Sequence, residues 1–289
     1  MTDAHRHIAA TAEAACRLVG PALLTAFRSQ MQIDFKVDRH DPVTEHDRAA
    51  EAAIRDFIFR EVPDSTFMGE EGGSVGTGPV RWFVDPIDGT SNFARGLAFW
   101  CVSVGVMIGD KVVAGAIFDP VADNMFTGSA AGAFLNGKPM QSRAEPDEAH
   151  AVLITGYPVT RDFRLDGQTL ALQRFGRLTE TFATVRRPGS AALSIAHVAA
   201  GWVDAAAGFG VNPWDVTAAI AILQHAGGSY HPYSLGKVAE DAPPHLHPGY
   251  IALGAGAQYP VLRSIAAEIS AGRTVARTAK EAPQNARAS

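Results

Sequence analysis

The sequence is short of cysteine, of long apolar runs and of surplus charge, and each shortage excludes something. Two cysteines among 289 residues, Cys16 and Cys101, cannot build a disulfide framework or a thiolate metal site, and they fit a reducing compartment. No apolar run approaches the roughly 20 residues that span a bilayer. The longest, 99–108, is interrupted by Ser103 and Gly105. Near the N-terminus Asp3, Arg6, Glu13 and Arg17 punctuate an alanine-rich helical pattern, unlike the basic segment and apolar core of a leader. The expectation is a cytoplasmic chain with no membrane partner. With 25 Lys and Arg against 30 Asp and Glu the net charge is −5, and there is no basic block. That argues against direct binding to a nucleic-acid backbone. What is present is an ordinary globular composition, 47% hydrophobic and 19% charged, in a length that suits one large domain or two fused halves.

Helix-forming residues run over 8–31, with Pro21 at a kink or junction. A second helix begins near Thr44, places Ala50, Ile54, Phe57 and Ile58 on one face, and stops at Pro63. The Gly- and Ser-rich stretch 69–79 reads as a loop. Strand patterns follow at 82–84, at 99–108 and 111–118 joined by Gly109-Asp110, and at 124–128 and 132–135 before Asn136-Gly137. After the polar segment 141–149 the pattern alternates: strand 151–155, helix 166–178, strand 182–186, helix 189–200, strand 203–207, helix 213–226. The chain is therefore expected to divide into an α+β half, 1–148, and an α/β half, 149–270. Residues 271–289 carry few large apolar positions and read as a loose tail.

The most informative stretch is Trp82-Phe83-Val84-Asp85-Pro86-Ile87-Asp88-Gly89-Thr90. An apolar strand delivers Asp85, Pro86 interrupts the ladder, and Asp88 follows three residues on. Carboxylates this close repel unless cations lie between them, and hard divalent ions take such oxygen ligands. The Gly89-Thr90 turn can point backbone N–H groups at an anion; alternatively Asp88-Gly89 serves turn conformation alone. Glu70 and Glu71 sit adjacent in the Gly-rich stretch, either as part of the same acidic site or on a solvated loop. Asn212, Pro213 and Asp215 fit N-cap, N1 and N3 of a helix, where an acid also complements the helix dipole. Asp47 has a comparable structural reading beside the Thr44 cap, although Asp is shorter than the residue a capping box prefers.

Taken together and in order, Gly69-Glu-Glu71, Asp85-Pro-Ile-Asp-Gly-Thr90 and Trp214-Asp215 resemble the motifs of the inositol monophosphatase family, a lithium-sensitive, magnesium-dependent phosphatase superfamily. Lys36, the segment Asp41-Pro-Val-Thr-x-x-Asp47 and the run Arg187-Pro-Gly-Ser-Ala-Ala192 extend the resemblance over roughly residues 5–268. The resemblance implies an α-β-α-β-α sandwich of the fructose-1,6-bisphosphatase type, commonly a homodimer. It implies that Glu70, Asp85 and the Ile87 carbonyl hold one Mg²⁺, that Asp85, Asp88 and Asp215 hold a second, and that a third ion meets Glu70 through water. Thr90 paired with Asp47 would activate the attacking water, the amides of Gly89 and Thr90 would bind phosphate beside Asp88, and Gly189, Ser190 and Ala191 would contact the substrate. The implied partner is a small phosphorylated metabolite, and inositol 1-phosphate is the leading substrate.

One departure weakens that substrate. Seven residues before Asp215, where the family often carries a Glu that bonds an inositol hydroxyl, this chain has Gly208. Related members act on histidinol phosphate, 3′-phosphoadenosine 5′-phosphate or fructose 1,6-bisphosphate, and some bacterial members associate with the transcription machinery. The histidines read differently: His197 as a half-buried packing residue, His225 as a helix-end cation, and His245 and His247 as loop residues without acidic partners. Arg186 and Arg187 are open between surface charge, a substrate rim and a dimer edge.

Overall fold

The computed structural model describes residues 2–35 and 42–281, so Lys36 and Asp41 lie outside the described residues. The first helix, α1 (Asp3–Ala26), is capped by Thr2, whose hydroxyl accepts from the His5 N–H. Its residues Ile8, Ala12, Ala15, Val19 and Leu23 recur at helical spacing and are buried. Pro21 lies inside the helix, which ends at Ala26. By length and composition α1 could cross a bilayer, an outcome that alanine produces and that counting large apolar residues misses. Its buried face instead packs on a sheet, with the Cys16 thiol directed at the carbonyls of Val102 and Ala116. A short antiparallel ribbon, β1 (Ile33–Phe35) with β2 (Pro42–Thr44), leads into α2 (Glu45–Glu61).

The sheet under α1 and α2 has eight strands: β3 (Ser65–Gly69), β4 (Gly73–Gly76), β5 (Val80–Asp88), β6 (Cys101–Ile108), β7 (Lys111–Asp119), β8 (Asn124–Ser129), β9 (Gly132–Leu135) and β10 (Lys138–Pro139). Their order is β10-β9-β8-β7-β6-β5-β3-β4, antiparallel except for β3 beside β5. The short helix α3 (Thr90–Arg95) joins β5 to β6. The stretch 69–79 is thus not simply a loop. Its residues 73–76 form the exposed edge strand β4, held by backbone pairing with β3, which leaves no apolar alternation to read.

In the second half β11 (Val152–Thr155), α4 (Thr160–Asp166), α5 (Gln168–Thr181), β12 (Thr184–Arg186), α6 (Ala191–Ala199), β13 (Ala205–Phe209), α7 (Pro213–His225), β14 (Ser229–Tyr233), β15 (Gly249–Leu253) and α8 (Pro260–Glu281) follow. The helix expected over 166–178 is α5, and Gly167, at φ 82°, separates it from the preceding α4. The five strands run β12-β11-β13-β15-β14, with β11 parallel to both neighbours and the remaining pairs antiparallel.

The loose tail expected from 271 is corrected by the structure, because α8 continues to Glu281. Its buried positions Leu262, Ile265, Ala266 and Ile269 are continued by Arg273, a cation where the apolar pattern needs a hydrophobe. Arg273 donates to Asp166 through Nε (2.7 Å) and Nη2 (2.8 Å), and to Asp162 through Nη2 (2.8 Å). Both carboxylates lie on α4, and Nη1 of Arg174 is 3.5 Å from Asp166.

Three apolar cores separate the layers. One lies between α1 and α2 and the large sheet, one buries α6 and α7 between the two sheets, and one packs α5 and α8 on the outer face of the small sheet. The result is the α-β-α-β-α sandwich implied by the motifs. Helix α7 lies directly on the large sheet because Gly105, Gly115 and Gly128 align across β6, β7 and β8. A Cβ at these positions would fall 2.5 Å from Ala218 N, 2.3 Å from Ala218 O and 2.5 Å from Ile222 Cα.

Candidate active site

Strand β5 carries the first two acids. Asp85 pairs with Ser103 and Asp88 with Cys101, and the register breaks between them at Pro86-Ile87. Residues three apart on a regular strand face opposite sides, and the irregularity brings both carboxylates to one site. Asp85 also forms the turn itself, its Oδ1 accepting from the Ile87 N–H at 3.0 Å. Glu70 follows β3 and is tied beside Asp85 by its N–H to the Val84 carbonyl, 3.2 Å.

The fourth acid comes from the other half of the chain. Asn212 caps α7, Pro213 begins it, and Asp215 in the first turn accepts from the Asn212 N–H at 2.8 Å, as the helix-start reading requires. Asp88 bridges the halves, since its Oδ2 accepts from the Ser190 hydroxyl and from the Ala192 N–H, both at 2.6 Å. Ser190 is the N-cap of α6, where its hydroxyl also accepts from the Leu193 N–H. Its side chain therefore holds Asp88 in place.

Burial raises the Asp85 carboxyl well above the usual range, and Glu70, Asp88 and Asp215 push it further in the same direction. Asp88 is pushed up to about 6, by burial first, while Ser190 and Ala192 draw it down and Glu70 draws it up. The charged neighbours that shift Asp85 most, among the described residues, are other acids. Among the described residues no three His, Cys, Asp or Glu side chains close around a point as an ion would require, so the fit to a metal rests on donor chemistry. Glu70, Asp85, Asp88 and Asp215 with the Ile87 carbonyl would make an all-oxygen donor set, free of thiolate and imidazole. Hard Mg²⁺ fits such a set better than softer metals do.

Beside the acids lies the pair expected from Thr90 and Asp47. Gly89 adopts φ 102°, in the left-handed region that favours glycine, and turns the chain into α3. The Thr90 hydroxyl lies 3.1 Å from Asp47 Oδ1 and 3.0 Å from the Ile87 carbonyl. Asp47 is fully buried, and its Oδ2 accepts from the N–H (2.8 Å) and the hydroxyl (2.6 Å) of Thr44. The two readings of Asp47, helix cap and partner of Thr90, are met by its two oxygens. Burial raises its carboxyl above the ordinary value, against the bonds from Thr44 and Thr90.

A cleft of about 250 Å³ opens beside Asp88 and Asp215, with Gly189, Ser190 and Ala191 in its wall. Gly208 lines it too, and a Cβ there would fall 2.6 Å from Cε1 of Tyr250. Tyr250 stacks on Tyr230 at 5.6 Å and 9°. An aromatic wall stands where a glutamate would otherwise reach the cleft.

Two positioning residues escaped the motif reading. Glu51 on α2 accepts from the N–H of Glu71 (2.7 Å) and Gly72 (2.6 Å), bracing the loop that carries Glu70. Its signal was an acid within the buried stripe Asp47, Ala50, Glu51, Ile54, Ile58. Asn92 donates to the carbonyls of Phe99 (2.7 Å) and Pro188 (2.6 Å), joining α3 to the Gly189 turn, and nothing in its local pattern marked it. Arg187 donates to the carbonyls of Gly156 and Pro158 and lies over the Phe175 ring. His197 packs among Phe99, Phe126 and Trp202, and burial lowers it to about 4. His225 bonds the Ala221 carbonyl at the end of α7. His245 and His247 are buried.

The sequence pattern of the inositol monophosphatase family matches residues 4–271. The chain is 36% identical over 217 residues to an inositol-1-monophosphatase of Synechocystis sp., covering 74% of this chain and 75% of that protein. It is 36% identical over 194 residues to a fructose-1,6-bisphosphatase/inositol-1-monophosphatase of Aquifex aeolicus, covering 66% and 72%. It is 37% identical over 211 residues to the Nus factor SuhB of Pseudomonas aeruginosa, covering 70% and 78%. Among solved structures it is similar to an inositol monophosphatase of Thermotoga maritima, with TM-score 0.76 and 28% identity over 91% of this chain and 96% of the other.

Proposed function

This chain belongs to the inositol monophosphatase family, whose members are metal-dependent phosphatases, and on that premise we propose that it hydrolyses a small phosphate monoester with Mg²⁺, inositol 1-phosphate being the first candidate substrate. The observation that carries the reading is the gathering of Glu70, Asp85, Asp88 and Asp215, whose charges act on one another at the buried Asp85, beside the Thr90–Asp47 pair.

In this reading Glu70, Asp85 and the Ile87 carbonyl hold one Mg²⁺, and Asp85, Asp88 and Asp215 hold another, with two or three ions per subunit. Mg²⁺ held by these residues would supply positive charge to offset the phosphate, a lower pKa for water and stabilisation of the leaving oxygen. The chain's own part is positioning, which dominates in phosphoryl transfer. Thr90 donates its proton toward Asp47 and turns a lone pair to the attacking water. Asp47, raised by burial, accepts a proton more readily than an exposed carboxylate. The turn amides of Gly89 and Thr90 bind the phosphate. Because the Ser190 hydroxyl is given to Asp88, the 189–191 turn meets the substrate through its backbone and the Ala191 methyl.

The aromatic wall beside Gly208 offers no carboxylate to a polyol hydroxyl, which keeps histidinol phosphate, 3′-phosphoadenosine 5′-phosphate and fructose 1,6-bisphosphate in play. A phosphate-release panel of these three with inositol 1-phosphate ranks them, and failure to hydrolyse any monoester with Mg²⁺ would overturn the reading. A cytoplasmic homodimer completes it. The relatives named Nus factor favour a second reading, a binding role in transcription, which would survive loss of a metal ligand where hydrolysis does not.

A further inference from the structure

A second cavity, of about 240 Å³, shares Arg161 and Phe209 as walls with the cleft beside Asp88 and Asp215. Five cations line it, Arg161, Arg164, Lys237, Arg273 and Arg277, and among the described residues no carboxylate does. Arg161 stands between the two spaces. Its Nη1 and Nη2 donate to the carbonyls of Gly210 (3.0 Å) and Phe209 (2.9 Å), which fixes the guanidinium plane. A Cβ on residue 210 would fall 2.0 Å from Arg161 Cζ, so glycine is what lets the cation lie there.

The acids behind this wall are already committed. Asp162 and Asp166 hold the buried Arg273, with Arg174 against Asp166, and Asp162 Oδ1 is 3.8 Å from Nε of Arg161. Arg161 remains half-exposed, and Arg164, Lys237 and Arg277 are exposed. Like charges crowded in one concavity repel unless an anion enters. Consistent with that, burial together with Arg161, Arg273 and Arg277 lowers the Lys237 ammonium below its ordinary value. Guanidinium forks match phosphate oxygens in pairs, and an ammonium adds a point charge. A neutral polyol leaving group has no use for such a wall.

We propose that this pocket binds a phosphate-class anion, either the distal phosphate of a substrate whose reacting phosphate lies at the carboxylate cluster or a free phosphate ion. The substrate source rests on the phosphatase reading above; the anion site itself does not.

The test uses the full chain and the double variant Lys237→Gln/Arg277→Gln, with Arg164→Gln as an independent second variant. None of these residues belongs to the hydrolytic machinery. In one arm, fructose 1,6-bisphosphate and fructose 6-phosphate compete against Mg²⁺-dependent hydrolysis of 4-nitrophenyl phosphate. In the other, sulfate is titrated calorimetrically into each protein. Inhibition by the bisphosphate weakened about tenfold or more, with the monophosphate moved less than about twofold, assigns the pocket to a distal group. Unchanged inhibition with loss of a sulfate site assigns it to a free anion. Unchanged inhibition and unchanged sulfate stoichiometry overturn the proposal. If the wild type hydrolyses nothing, the phosphatase reading fails, and the sulfate arm still decides the anion site.

Discussion

Two groups of buried carboxylates in this molecule are treated in opposite ways. Asp162 and Asp166, on α4, are answered by Arg273 from α8, with bonds near 2.8 Å, and Asp166 also by Arg174 from α5 at 3.5 Å. Asp85 and Asp88, at the end of β5, are answered by Ser190, two backbone N–H groups and more acid. The first arrangement is complete without any ligand. The second sets like charges side by side, an arrangement that gains from any cation that enters it. The same residue type is a structural rivet in one place and part of a gathering of like charges in the other.

Stripping divalent ions should break the symmetry most completely. Chelation with EDTA is expected to abolish phosphate release and restored Mg²⁺ to recover it, whereas full turnover by metal-free enzyme would make the β5 cluster one more structural knot. Next in size, Asp215→Asn should lower turnover by orders of magnitude while its melting temperature in metal-free buffer stays level or rises, because a like charge has been removed. Asp166→Ala should do the reverse to stability, leaving Arg273 buried and short of a partner at a cost of about 3–5 kcal/mol. Thermal melting of the two variants side by side reads the contrast, and equal destabilisation would erase it.

Thr90→Ala and Asp47→Asn should each reduce kcat far more than they raise KM, and the double variant should be little worse than either. Asp47→Asn should also melt lower, by about 1 kcal/mol of cap stability, since one of its oxygens serves Thr44. Normal kcat with only the lower melting temperature would leave Asp47 a cap. The smallest effect concerns pH. The folded protein holds a proton on Asp88 up to about pH 6, where an unfolded chain has released it near its ordinary value of 3.8. In EDTA, stability should therefore rise as pH falls from 7 to 5 and decline again as pH rises through 6. A melting temperature flat over that range would mean that Asp88 is already compensated.

What was readable in the sequence follows the same division. Acids that stand at element ends, as Asp85, Asp88 and Asp215 do, combine with Pro and Gly into short motifs, and their neighbours announce them. Residues that act across the fold leave no local mark. Asn92 reaches Pro188 through 96 positions of sequence, and Arg273 reaches Asp162 through 111. The reading of a tail fails over 271–281 for that reason, since an arginine continuing a buried stripe looks like the end of the stripe until its acids are found. The strands β14 and β15 and the helix α8 lie beyond residue 226, where the regular alternation of strand and helix patterns ends. The edge strand β4 was missed because pairing through the backbone needs no side-chain pattern.

The glycine row under α7 turns the interior of the large sheet into a gauge for the distant acid. With Gly105, Gly115 and Gly128 absent of side chains, the helix rests backbone against backbone, and no soft layer lies between it and the strands to absorb error. A single methyl at Gly115 would act as a shim 2.3 Å from the Ala218 carbonyl, three residues along α7 from Asp215. The alignment of Asp215 with the β5 carboxylates is in this sense machined at a surface that no substrate touches, and tolerance for change at that surface should be narrower than at the rim of the cleft itself.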